Sequence, residues 1–119
     1  MFYYRRKILL ALIETFGGSL TAKSLQKYLF LFTRQQTEKS FDFIPYRYGC
    51  FSFQANQDVV TLEKYGFIEI VEGENGRRIK LNRPGQYSTM LNLFDQQALL
   101  DVKEQFGKLS QQELIRYTY

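Results

Sequence analysis

The chain of 119 residues has no histidine, no tryptophan and a single cysteine, Cys50. Without histidine there is no Ser-His or Cys-His nucleophile pair, no histidine-ligated haem and none of the usual zinc sites. A lone cysteine cannot close an internal disulfide, which suits a reducing, cytoplasmic setting. Long apolar runs are missing too. "ILLALI" is six residues long, far below the roughly 18 that a bilayer-spanning helix needs, so no membrane partner is expected. "YYRRKILLALI" has the basic and apolar regions of a signal peptide. Glu14 follows at once, however, and no small-x-small cleavage pattern closes the run before Gly17, so a first core helix is the better reading.

Aromatic rings are abundant: eleven Phe and nine Tyr, enough to fill a small core and leave several rings outside it. The hydrophobic share of 45% and charged share of 24% are those of an ordinary globular chain, and the length predicts one domain over residues 1–119. Sixteen basic against twelve acidic residues give a net charge of +4. That excess permits a polyanionic partner without demanding one.

Leu9, Leu12, Ile13 and Phe16 recur at helical spacing, predicting an amphipathic helix from about Tyr3 to Phe16 that Gly17-Gly18 ends. A second helix starts after Thr21 as N-cap, with Leu25, Tyr28, Leu29 and Phe32 as its apolar stripe and Lys23, Lys27 and Arg34 away from it. "TEKSFDFIPYRYG" breaks the pattern and reads as an ordered loop with an extended piece near Phe41 to Ile44. A third helix is expected from Ser52 to Tyr65, its buried face made by Phe51, Ala55, Val59 and Leu62, with Gly66 as its stop. "FIEIVEGENGRRIKLN" then reads as a β-hairpin around Asn75-Gly76. That turn sets Glu74 opposite Arg77, Glu72 opposite Ile79 and Ile70 opposite Leu81, with Ile68, Ile70, Ile79 and Leu81 on one face. One or two helices follow over 89–94 and 95–106. Ser110-Gln-Gln-Glu113 is a capping box that opens a last helix. Its pattern still runs at Tyr119, which leads to the expectation that something follows or packs there.

Three helices followed by a hairpin is the order of a winged-helix domain, so the predicted fold is α+β and winged-helix-like, with about five to six helices and one hairpin wing. In that reading Arg77, Arg78, Lys80 and Arg83 contact DNA phosphates, aided by Arg5, Arg6 and Lys7. Gln54, Gln57 and Thr61 stand at base-reading positions of the third helix, although Asp58 and Glu63 against Lys64 leave that helix at −1. "PYRYGCFSFQAN" only faintly matches an RNA-binding strand. It reads better as an aromatic hub in which Tyr46, Tyr48, Phe51 and Phe53 hold the loop and third helix against the second. Cys50 is a small buried apolar residue there. No carboxylate pair, phosphate loop or nuclease motif is present, so neither enzymatic activity nor a cofactor is expected.

"FYYRRKILLALIETFGGSL", "LQKYLFLFTRQQ", "FDFIPYRYGCFSFQANQDVVTLEKYGFIE" and "LSQQELIRYTY" together resemble the N-terminal module of bacterial proteins of the domain-of-unknown-function 488 family. That resemblance implies a winged-helix-like accessory module ahead of a larger domain. Leu25-Gln26-Lys27 and Tyr48-Gly49 are also similar to stretches of SocA-like, or Panacea, antitoxin domains, which implies adapter work through protein contacts. Two functions therefore stand as expectations: a non-catalytic DNA-binding or regulatory module, and a protein-interaction module using Tyr46 and the last helix near Tyr117. The first carries a direct test. A chain that neutralises several phosphates should lose orders of magnitude in affinity for a random duplex between about 50 and 200 mM salt, read by fluorescence anisotropy.

Overall fold

The computed structural model describes residues 3–46, 49–74 and 76–118. Helix α1 (Tyr4–Thr15) lies at its centre. All six residues of "ILLALI" are fully buried, so the helix is enclosed on every side and is not amphipathic. A helix apolar all round belongs inside a core, and that is where its neighbours put it. Gly17 and Gly18, at φ +92° and +93°, close it with the two backward bonds of a Schellman turn, Gly18 N–H to the Ile13 carbonyl and Gly17 N–H to that of Glu14.

Strand β1 (Ser19–Thr21) follows directly and was not expected from sequence. It pairs antiparallel with β5 (Gly76–Leu81), Leu20 opposite Ile79, and β5 pairs in turn with β4 (Ile68–Gly73). The result is a three-stranded sheet of order β1-β5-β4. The register of β4 and β5 differs from the expected one by two residues: Glu72 faces Arg77, Ile70 faces Ile79 and Ile68 faces Leu81. A two-residue slip leaves every side chain on its own face, so the burial pattern that forbids a one-residue slip is indifferent to this one. Asn75 lies outside the described residues; Gly76, at φ +97°, supplies the left-handed conformation next to the turn.

Helix α2 (Ala22–Thr33) is capped as expected, Thr21 Oγ1 accepting from Ser24 N–H at 3.1 Å. Its expected stripe is buried, yet burial runs continuously from Ser24 to Leu29 and takes in Lys27. The reason is that α5 packs against α2, with Gln111 at its start bonded to Lys27. The segment read as a loop after α2 forms a second small sheet, with β2 (Ile44–Tyr46) antiparallel to β3 (Gly49–Phe51). Arg47 and Tyr48, between the two strands in sequence, lie outside the described residues. Gly49 adopts φ +133°, and a Cβ there would come within 3.1 Å of the Thr118 carbonyl oxygen. The amide of Gln26 fastens this insert to α2, donating to the Ser52 carbonyl at 3.0 Å and accepting from Ser52 N–H at 2.8 Å.

Ser52 caps α3 (Phe53–Lys64), and Gly66 ends it at φ +80°. Beyond the β4–β5 hairpin, a 3-10 helix (Tyr87–Met90) is tied to α1 through Glu14, whose carboxylate accepts from the Tyr87 and Ser88 N–H groups. Of the one or two helices expected over 89–106, the structure has one α-helix, α4 (Leu93–Phe106), which starts after its cap Asn92. Helix α5 (Gln111–Thr118) opens on the expected box: Ser110 Oγ accepts from Glu113 N–H and Glu113 Oε1 from Ser110 N–H. The described residues thus form a mixed α+β fold of five α-helices and two small antiparallel sheets around one core. No helix among the described residues is long and apolar enough to cross a membrane.

The largest departure from expectation concerns Asp58. It is fully buried rather than solvent-facing, because the first turn of α1 crosses α3 there. Arg5 Nε lies 2.5 Å and Arg6 Nε 3.1 Å from its carboxylate. Replacing both arginines with methionine strands a buried charge and is expected to reduce unfolding free energy by about 3 kcal/mol or more in urea titrations.

Candidate functional site

Three surfaces meet around the N-terminal half of α3. The first is aromatic. Phe51 and Phe53 contact edge-to-face at 4.8 Å, with Tyr46 at 5.3 Å and 6.0 Å from their respective ring centres. This is not the core hub expected from sequence: Tyr46 is 45% and Phe53 55% exposed, and the buried rings are Tyr28, Phe32, Phe41 and Tyr87 instead. Phe53 is the first residue after the Ser52 cap, so it points outward while Ala55, Val59 and Leu62 point in. Ile44, directly across from Phe51, and Val60 on α3 are also exposed. Five neighbouring apolar side chains therefore form a largely exposed patch, with Tyr48 outside the described residues.

The second surface is the β4–β5 hairpin, whose four cations diverge. Arg78 and Lys80 share the outer face of the sheet, where Arg78 Nε donates to Ser19 Oγ of β1 at 2.6 Å. Arg77 lies on the opposite face, across from Glu72. Arg83 sits at the base with its guanidinium 4.5 Å above the Phe67 ring, donating to the Tyr65 carbonyl. Arg5 and Arg6 are not part of this surface, being held by Asp58, and Lys7 is half-buried. Among the proposed base readers, the Gln54 amide oxygen accepts from Asp42 N–H at 2.8 Å and the Thr61 hydroxyl donates to the Gln57 carbonyl. The Gln57 side chain is exposed.

The third is a pocket of about 280 Å³ between α2, α3, the inner face of β4–β5 and the β2–β3 insert. Val59, Val60, Ile70 and Ile79 give it apolar walls, and Lys23, Lys27 and Arg77 bring three cations to it. Lys27 is only 6% exposed, and its ammonium donates to the Gln111 side-chain oxygen at 2.9 Å. Burial, and then the charge of Lys23, hold its pKa below that of an ordinary lysine. Cys50 also lines the pocket, and burial pushes its thiol pKa up, which leaves it a poor nucleophile. Sequence reasoning placed Lys27 away from the buried stripe of α2. The signal available was the Lys23–Lys27 spacing, two like charges one helical turn apart. Tyr117 lies apart on α5, exposed and edge-on to Phe106, with its carbonyl accepting from Arg34.

Compared with known proteins, the chain matches no family model and no curated protein.

A lysine whose folded-state pKa is lowered opposes folding at neutral pH, and that opposition fades as pH climbs toward 10.5, the ordinary value. Lys27→Met should therefore leave stability at pH 7 unchanged or raise it by about 1 kcal/mol. The margin over the parent should shrink between pH 7 and about 9.5, below the tyrosine range near 10. Urea midpoints of both proteins at the two pH values check this.

Proposed function

We propose that this chain is a non-catalytic, winged-helix-like module that binds a protein partner through the exposed patch on α3 and the β2–β3 insert. The order α1-β1-α2-β2-β3-α3-β4-β5, with the β2–β3 pair inserted between α2 and α3, and the sheet order β1-β5-β4 support the winged-helix assignment, with β4–β5 as the wing. One observation carries the function. Where a base-reading helix presents hydrogen-bonding groups, the outward positions of α3 include Phe53 and Val60, continuous with Tyr46 and Phe51. Clustered exposed apolar groups mark interaction sites, and aromatic anchors carry a large share of interface energy. The similarity of the Leu25-Gln26-Lys27 and Tyr48-Gly49 stretches to antitoxin domains agrees with adapter work of this kind.

A second reading rests on the outer face of the wing. Arg78 and Lys80 stand there together, with Arg78 fixed by Ser19, an arrangement suited to phosphates irrespective of base sequence.

The two readings separate in one experiment. Tagged chain incubated in lysate of its source organism should retain a protein that Tyr46→Ala with Phe53→Ala loses, the circular dichroism staying unchanged. Loss of two aromatic anchors should weaken the purified complex by tenfold or more, while Arg78→Glu with Lys80→Glu should not alter it. Retention in the aromatic variant, or salt-sensitive duplex binding abolished by the wing variant, would move the function to the wing.

A further inference from the structure

The pocket beside Lys27 raises a different question from the patch, because a partner resting on the patch does not explain a buried ammonium. Lys27 offers three donors. Its hydrogen bond goes to a neutral amide oxygen, and among the described residues no carboxylate lies within 4 Å of it. Keeping a charge at 6% exposure without a counter-charge is unfavourable, and Lys23 one turn away adds repulsion. Not one of the fifteen lining residues is acidic. Glu72, which faces Arg77, borders an adjoining pocket that also includes Lys23. The cavity lining thus combines cationic side chains, Lys23, Lys27 and Arg77, with the aliphatic Val59, Ile70 and Ile79.

We propose that this pocket is a binding site for a small carboxylate with an apolar body, its anion on Lys27 and Lys23 and its body against Val59, Ile70 and Ile79. About 280 Å³ lies just under the roughly 300–1,000 Å³ usual for small-molecule sites, so the ligand is compact. A phosphate ester fits less well: such groups are cradled by successive backbone N–H groups in glycine-rich loops, and among the lining residues Gly49 is the only glycine. A neutral apolar ligand leaves Lys27 as it is. A monocarboxylate with an apolar body matches both kinds of lining. The inference stands on Lys27 and the cavity and does not depend on the protein-partner reading.

The test uses the full chain with octanoate and 3-phenylpropionate as probes, and with octanol and octylamine as controls of similar length. Saturation-transfer NMR detects binding, and methyl shifts of Val59, Ile70 and Ile79 locate it. At least one carboxylate should bind with those shifts, and its neutral or cationic counterpart at least tenfold more weakly. Lys27→Met, verified as folded by circular dichroism, should lose tenfold or more in carboxylate affinity and prefer octanol to octanoate. Lys27→Arg, which keeps the charge, should retain part of the affinity. Binding of neither carboxylate, equal binding of octanol and octanoate, or undiminished carboxylate affinity in Lys27→Met would each overturn the proposal. The pocket shares Tyr46, Phe51 and Val60 with the patch, but partner capture plays no part in these readouts, so failure of one proposal is distinguishable from failure of the other.

Discussion

The complete enclosure of α1 governs the rest of the structure. Six consecutive fully buried residues on a helix cannot be covered by one neighbour, because successive side chains point about 100° apart. Coverage must come from all round. Helices α2, α3 and α4, strand β5 and the 3-10 helix all contact α1. The hydrophobic effect makes that enclosure favourable but does not choose one orientation for each covering element. Polar contacts supply the choice: Asp58 locks α3 to the first turn of α1, Glu14 holds the 3-10 helix at its far end, and Tyr4 donates to Asp95 of α4 at 2.6 Å. Burial and that hydrogen bond lift the Tyr4 hydroxyl pKa to about 12, so this contact stays protonated throughout the physiological range.

This division of labour bears on how charge reaches the surface. Two of the three cations at the N-terminus are turned inward by one carboxylate, and those on the hairpin are spread over two faces and its base. A net charge of +4 therefore does not gather into a single basic stripe. Long-range steering of a polyanion depends on such gathering. Apolar side chains, by contrast, gather where the fold is most irregular, beside an insert of two three-residue strands.

Much of this was legible in the sequence because local chemistry and tertiary structure agree. Thr21, Ser52 and Ser110 act as caps, and Gly17-Gly18 and Gly66 stop helices, as their residue types indicate. What was not legible depended on partners distant in sequence. β1 is too short to show alternation, and it exists because β5 offers it an edge. Asp58 looks solvated until Arg5 and Arg6, more than fifty positions earlier, are brought to it. Lys27 looks solvated until α5 lies across it. The outward aim of Phe53 follows from its place directly after a cap, whereas composition alone assigned its ring to the interior. Within the candidate site, then, the residue types were visible but not their company.

Gly49 has one more implication. Its missing side chain lets the end of α5 rest on β3, and the beginning of the same helix supplies the amide that holds Lys27. Helix α5, eight residues long, therefore touches the aromatic insert at its C-terminal end and the Lys27 ammonium at its N-terminal end. Displacing this one helix would remove both contacts at once.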